Sequence, residues 1–181
     1  IRDRCMAGSR LGPSFYDRDT VELAKMLLGK ILVRSVNGAV IRCRITEVEA
    51  YVKNDPANHA FKGMTKRNRS MFKGPGTLYV YMVHNNHCMN VVRGGGEAVL
   101  IRSAEPLENV EGSTTGPGRL CRTLKIDRRL DGIDLCTSDE VWIEDDGYAV
   151  DEVAVSRRIG VSKGKNRLLR FYVMNSRWVS R

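Results

Sequence analysis

The sequence predicts a single α+β domain with a mostly antiparallel, curved β-sheet and surrounding helices. Three observations carry this expectation. Apolar residues alternate at strand period in several segments and recur at helical period in a few. Neighbouring strand segments are separated by tight-turn signals, Asn37-Gly38 and Gly94-Gly95-Gly96, which favour hairpins over crossovers. The 181 residues show no repeat, low-complexity tract or linker, so one domain, 1–181, is expected, large enough for a buried core.

The elements follow in order. Thr20 to Leu28 reads as a helix: Asp19 can cap it, Leu23, Met26 and Leu27 give helical spacing, and Gly29 stops it. Lys30 to Val36 reads as a strand, and Asn37-Gly38 turns it into a second, Val40 to Tyr51. On this second strand Ile41, Cys43 and Ile45 share a face with Arg42 and Arg44 opposite. Strict alternation carries Glu47, Glu49 and Tyr51 onto the apolar face, whereas a bulge near Val48 would reverse the parity and turn the carboxylates to solvent. Thr65 is placed to cap a short helix through Met71. Pro75-Gly76 turns into a strand, Thr77 to Val83, with Tyr79, Tyr81 and Val83 on one face. Met89 to Arg93 and Ala98 to Ser103 form a hairpin around three glycines that lack dinucleotide-site spacing. Gly116-Pro117-Gly118 precedes a helix, Arg119 to Leu124; its first N–H groups could hold a phosphate or simply start the helix. Strands are expected around Val153 to Arg157 and Leu169 to Met174.

The formal net charge is +9, and the basic residues cluster. One group is Lys62, Lys66, Arg67, Arg69 and Lys73; a second is Arg119, Arg122, Lys125, Arg128 and Arg129; a third is Arg157, Arg158, Lys163, Lys165, Arg167 and Arg170. Clustered cations suit a polyanion, because neutralising phosphates releases counterions. The five cysteines, Cys5, Cys43, Cys88, Cys121 and Cys136, are odd in number and form no C-x-x-C, which argues against a disulfide framework or a zinc finger and for a reducing compartment. No apolar run approaches the ~20 residues that span a bilayer, and Ile1 to Leu11 is polar and basic, unlike a signal peptide.

Glu49, Tyr51, His59, Tyr81, Asn90 and Arg102 lie in or beside predicted strands. Hydrolysis at an anomeric carbon needs a carboxylate to activate water beside a cation-like transition state. An extruded base needs flat aromatic walls and polar groups that read its edge. Taken alone, tyrosines at strand spacing are more often core or surface packing, and a lone histidine is more often a satisfied structural residue.

The order of the motifs is more specific. Glu47-Val48-Glu49-Ala50-Tyr51, His59 and Arg67-Asn68-Arg69-Ser70-Met71-Phe72 come first, followed by Pro75-Gly76-Thr77-Leu78-Tyr79-Val80-Tyr81, Cys88-Met89-Asn90 and Leu100-Ile101-Arg102. Ala104-Glu105-Pro106-Leu107-Glu108, Gly116-Pro117-Gly118-Arg119-Leu120-Cys121, Arg158-Ile159-Gly160-Val161, Leu169-Arg170-Phe171-Tyr172-Val173 and Trp178-Val179-Ser180 complete the series. This series resembles the alkyladenine (3-methyladenine, N-methylpurine) DNA glycosylase family, collinearly from Arg10-Leu11-Gly12 to the last residues.

The resemblance implies a monofunctional, cofactor-free and metal-free base excision repair enzyme acting as a monomer on double-stranded DNA with damaged purines. It would flip out 3-methyladenine, 7-methylguanine, hypoxanthine or ethenoadenine and leave an abasic site. Its place would be the nucleus of a eukaryote or the cytoplasm of a prokaryote. It makes Glu49 the general base and has Arg102 hold the water and a neighbouring phosphate. Tyr51 and His59 would form one wall of the base pocket and Tyr81 the other. Asn90 would crowd the 2-amino group of guanine, and the backbone around Ile159 would line the water site. Arg67, Arg69 and Arg119 are expected on the DNA. Excision should be lost in Glu49→Gln, with normal turnover by Glu47→Gln as the matched control.

Two departures stand out. Val48 replaces the threonine usual between the glutamates. Val83-His84-Asn85-Asn86-His87-Cys88 replaces a segment that usually begins Tyr-Gly and is one residue longer. That tyrosine is the family's wedge; His84 is the best candidate here, with Asn85 or Asn86 as alternatives. Other readings are a metal-dependent nuclease using His84, His87, Cys88 and His59, for which His84 and His87 would need to lie on a helix. A non-catalytic module for distorted duplex, or a relative that binds lesions but turns over poorly, completes the set.

Overall fold

The computed structural model describes residues 8–180; Cys5, with most of the polar Ile1 to Leu11 stretch, and Arg181 lie outside the described residues. The elements are β1 (Ser9–Arg10), α1 (Pro13–Tyr16), α2 (Thr20–Leu27), β2 (Ile31–Val36), β3 (Ala39–Tyr51), β4 (Leu78–Val83), β5 (Asn86–Gly94), β6 (Glu97–Glu108), α3 (Pro117–Thr123), β7 (Val141–Asp145), β8 (Val153–Ser156) and β9 (Arg170–Val173). Two single 3-10 turns, Arg69–Phe72 and Arg128–Leu130, lie between them. Among the described residues nine strands form one open sheet: seven run in the order β1-β7-β2-β3-β6-β5-β4, β9 pairs with β3 off that path, β8 pairs with β9, and every pairing is antiparallel. The α+β expectation holds.

Local signals account for much of this. The Asp19 carboxylate accepts the Val21 and Glu22 N–H groups at the start of α2, which buries Leu23, Ala24 and Leu27. Met26 is exposed rather than packed. Gly29 turns the chain at φ +85°, and Asn37-Gly38 at φ +52° and +76° form the β2–β3 turn. β5 and β6 are longer than expected. The helix expected from Thr65 reduces to the 3-10 turn Arg69–Phe72, because Thr65 and Asn68 exchange hydrogen bonds across a turn instead. β7 was not anticipated: Val141 and Ile143 point into the core, but acidic residues flank this short run on both sides.

β3 positions the site. Its pairing with β6 slips between Ile45 and Glu47 and again between Glu47 and Val48, leaving Thr46 and Arg102 without partners across the ladder. Ile41, Cys43 and Ile45 pack in the main core, and beyond the bulge Val48 and Ala50 take their place there. Strict alternation therefore fails at the bulge, and Glu47 and Glu49 turn to the opposite face. They do not reach solvent: β9 pairs with Glu47, Val48 and Glu49 along the edge that β2 has left, and both carboxylates are fully buried.

Candidate active site

A cleft of about 360 Å³ is lined by Tyr51, His59, Tyr81, Arg102 and Ile159 among others, and three of these, Tyr51, Arg102 and Ile159, hold the buried Glu49 behind it. One carboxylate oxygen accepts the Tyr51 hydroxyl at 3.0 Å and faces Arg102 Nη1 at 3.5 Å. The other accepts the Ile159 backbone N–H at 2.7 Å. Burial pushes this carboxyl above the usual carboxylate range, while Arg102, the Ile159 N–H and the Tyr51 hydroxyl pull it down and the Glu47 charge adds to the rise. A carboxylate with these partners is a base that regains a proton readily.

Glu47 has the opposite balance. It too is fully buried, but it accepts hydrogen bonds from Arg102 Nε (3.3 Å), Arg170 Nε (2.7 Å), the Ser103 hydroxyl (2.6 Å), and the N–H (2.9 Å) and hydroxyl (2.8 Å) of Ser180. Burial acts to raise its carboxyl, but bonds from Ser103, Ser180 and Arg170 outweigh it and hold the group below its ordinary value. Glu47 is thus joined to the site through Arg102, and Glu47→Gln is not an inert control.

Three aromatic rings, His59, Tyr79 and Tyr81, come together beside the cleft. The ring centroids of His59 and Tyr81 are 4.3 Å apart at 73°, and those of Tyr79 and Tyr81 are 5.3 Å apart. His59 Nδ1 is 3.1 Å from the Tyr79 hydroxyl. Burial, and secondarily Arg67, lowers the His59 pKa, so a neutral ring is favoured there. A flat base stacked between two rings needs about 7 Å between them. His59 and Tyr81 must therefore separate to admit one. Asn90 is buried beneath, donating to the Tyr79 carbonyl at 3.3 Å, and lines with Tyr51, His59 and Tyr81 a cavity closed down to about 10 Å³.

His59 stands on the irregular segment after β3, and three residues that sequence reasoning passed over organise it. Asn58 donates to the Val52 and Gly96 carbonyls, and Asn68 donates to those of His59 and Gly63. Asp55 forms a buried two-pronged pair with Arg158, which also donates to the Ala50 carbonyl and lies 4.8 Å from the Tyr51 ring centroid. Arg158 thereby fixes the residue next to it, Ile159, whose N–H holds Glu49.

The basic groups divide on folding. Arg158 and Arg170 are internal, whereas Lys62, Lys66, Arg67, Arg69, Arg157, Lys163, Lys165 and Arg167 are exposed. Arg67 donates to the Met82 carbonyl beside the cleft mouth. Arg119 is exposed on α3 but faces a separate cavity with Arg122 and Lys125, not the cleft. The Gly116 N–H, a candidate phosphate donor, is already used on the Ser103 hydroxyl at 3.0 Å.

His84 and Asn85, both at positive φ (48° and 63°), form the two-residue turn between β4 and β5. Asn86 is held in β5 by Arg122, at 2.9 Å. Because His84 is on a turn and His87 on a strand, the helix that a paired metal site would need is missing. Among the described residues no three His, Cys, Asp or Glu side chains cluster as metal ligands. Cys43, Cys88, Cys121 and Cys136 are free thiols. No helix of the described residues is long and apolar enough to cross a membrane.

Comparison with known proteins identifies the family. The model of a family described as methylpurine-DNA glycosylase (MPG) matches residues 14–177. A Mesorhizobium japonicum protein, provisionally named a 3-methyladenine DNA glycosylase, is 44% identical over 90% of this chain and 86% of its own length. A Methanocella arvoryzae protein with the same provisional name is 44% identical over 92% of this chain and 94% of its own. The DNA-3-methyladenine glycosylase of Mus musculus is 40% identical over 94% of this chain, which spans 61% of the mouse protein. The chain belongs to the methylpurine-DNA glycosylase family, DNA repair enzymes that hydrolyse N-glycosyl bonds.

Proposed function

We propose that this glycosylase extrudes an alkylated or deaminated purine from duplex DNA and releases it by attack of a Glu49-activated water on C1′. The carrying observation is a fully buried carboxylate, raised in basicity, held by Tyr51, Arg102 and Ile159, which line a cleft together with His59 and Tyr81. Glu49 takes the water proton, the C1′–N bond breaks, and its electron pair leaves with the base. A cationic purine such as 3-methyladenine or 7-methylguanine leaves readily and is favoured by electron-rich tyrosine faces. Neutral hypoxanthine or ethenoadenine must gain a proton first. Asn90, at the bottom of the pocket, is the group to reject the guanine 2-amino substituent.

His84, at the exposed tip of the β4–β5 turn, is the wedge that fills the stack after flipping, and the exposed Met82 and Val83 beside it extend the apolar surface. Lys163 lines the cleft but is exposed, whereas a Schiff-base lysine is activated by desolvation, which supports base removal without strand cleavage. The protein acts as a monomer in the compartment that holds DNA.

The test is incubation with duplexes carrying single 3-methyladenine, 7-methylguanine, hypoxanthine or ethenoadenine lesions. Strand breaks should appear only after alkali, with chelator present or absent. No alkali-labile site on any lesion would refute the reading; breaks without alkali would refute its monofunctional form.

A further inference from the structure

We propose that Glu47 is a positioning residue of this reaction: with the segment 178–180 it holds Arg102 side-on to Glu49 and keeps the base from being captured by its own cation. The inference rests on Glu49 as the base and explains how that base is kept reactive beside a buried guanidinium.

Each nitrogen of Arg102 has one named partner. Nε donates to Glu47 at 3.3 Å, Nη2 to the Ser180 hydroxyl at 3.2 Å, and Nη1 faces Glu49 at 3.5 Å, the longest of the three. The first two fix the guanidinium plane. Left to itself, a guanidinium beside one carboxylate adopts a shorter, two-pronged geometry. That geometry would occupy the lone pairs Glu49 needs for water and weaken it as a base.

Glu47 is in turn held from several directions. Ser180 grips it by N–H and hydroxyl, Arg170 Nη2 donates to the Ser180 carbonyl at 2.9 Å, and the Thr46 hydroxyl donates to the Trp178 carbonyl at 2.5 Å. The segment 178–180 thus straps the bulge of β3. The bulge itself places Thr46, Glu47 and Arg102 within reach of that strap.

Glu49 is faced by Glu47 and Tyr51 from β3, Arg102 from β6, Cys88 from β5 and Arg158 from the loop before Ile159. Ser180→Ala removes none of these charged groups, so any change in Glu49 titration must come through Arg102 or through the Glu47 that Ser180 also holds. Released from Ser180 and from a well-held Glu47, Arg102 should turn toward Glu49 and lower its pKa.

The experiment measures single-turnover excision against pH, lesion affinity and melting temperature for the parent, Ser180→Ala, Ser180→Thr and Glu47→Gln. A second arm follows the Glu49 carboxyl by carbon NMR in the DNA-free proteins. Ser180→Ala and Glu47→Gln should move the acid limb and the NMR titration down by about one pH unit. Plateau excision should fall roughly 10-fold or more with lesion affinity kept. Ser180→Thr, which keeps the hydroxyl, should restore both. An unmoved or raised Glu49 titration in Ser180→Ala overturns the proposal, even if Glu47→Gln fails to fold. If the parent excises nothing, the base reading falls, while the NMR arm still decides whether Glu47 and Ser180 control Arg102.

Discussion

At the scale of the residue, the proposed mechanism requires Glu49 to be charged, yet it is fully buried. Its folded-state pKa lies above the ordinary 4.5, because burial outweighs Arg102, the Ile159 N–H and Tyr51. Its protonated form therefore stabilises the fold, fully below the unfolded value and decreasingly as pH rises through the folded one. Glu49→Gln, neutral at all pH, should keep or raise the melting temperature at neutral pH, by roughly 2–4 °C for each kcal/mol gained. In the parent, excision should fall as pH drops through a limb above the usual carboxylate range. Calorimetry and pH–rate profiles check both; a Glu49→Gln protein that melts earlier than the parent at neutral pH would mean that the charge stabilises the fold. Glu47 carries the opposite sign. Its lowered pKa contributes stability above the unfolded value, lost as pH falls through the folded one. Strand alternation offered both glutamates as equals and the resemblance singled out Glu49, but only the bulge and the contacts around each show their opposite electrostatic balance.

At the scale of the element, short-range signals were readable. Asp19 capping α2, Asn37-Gly38 joining β2 to β3, and the glycines between β5 and β6 each act within a few residues. Long-range pairings were not. Asp55 meets Arg158 across 103 residues, and Ser180 meets Glu47 across 133. The bulge was foreseen only as a possibility that would expose the carboxylates; β9 and the strap, distant in sequence, bury them instead. The Asp55–Arg158 pair ties the His59 segment to the Ile159 loop, so Asp55→Asn leaves a buried unpaired guanidinium. It should cost about 3–5 kcal/mol in denaturant unfolding. A loss under 1 kcal/mol would show that the two segments hold together without it. The β4–β5 turn makes a separate prediction. His84→Ala should weaken lesion binding and His84→Tyr should keep or improve it, in affinity and single-turnover assays on well-paired lesions. If both variants match the parent, the wedge passes to Asn85, the other residue of the turn, because Asn86 is held by Arg122.

At the scale of the whole molecule, the net charge of +9 predicted a polyanionic partner but not its footprint. Folding withdraws Arg158 and Arg170 from the basic clusters and leaves Arg119 lining a cavity separate from the cleft, while Lys62, Lys66, Arg67, Arg69, Lys163, Lys165 and Arg167 remain exposed on the segments that carry His59 and Ile159. Binding to duplex should fall with added salt, with a logarithmic slope of about −0.9 per phosphate neutralised. Replacing Arg67 and Arg69 by alanine should flatten that slope by about two. Replacing Arg119 should leave it nearly unchanged. Equal slopes for all three proteins would place the DNA elsewhere.

The most direct test of Glu49 as the base is single-turnover excision by Glu49→Gln on a duplex with one hypoxanthine, read beside its affinity for the same duplex. The account predicts a rate lower by on the order of 100- to 10,000-fold with lesion affinity nearly intact. Excision at the parent rate by a folded, lesion-binding Glu49→Gln protein would contradict it.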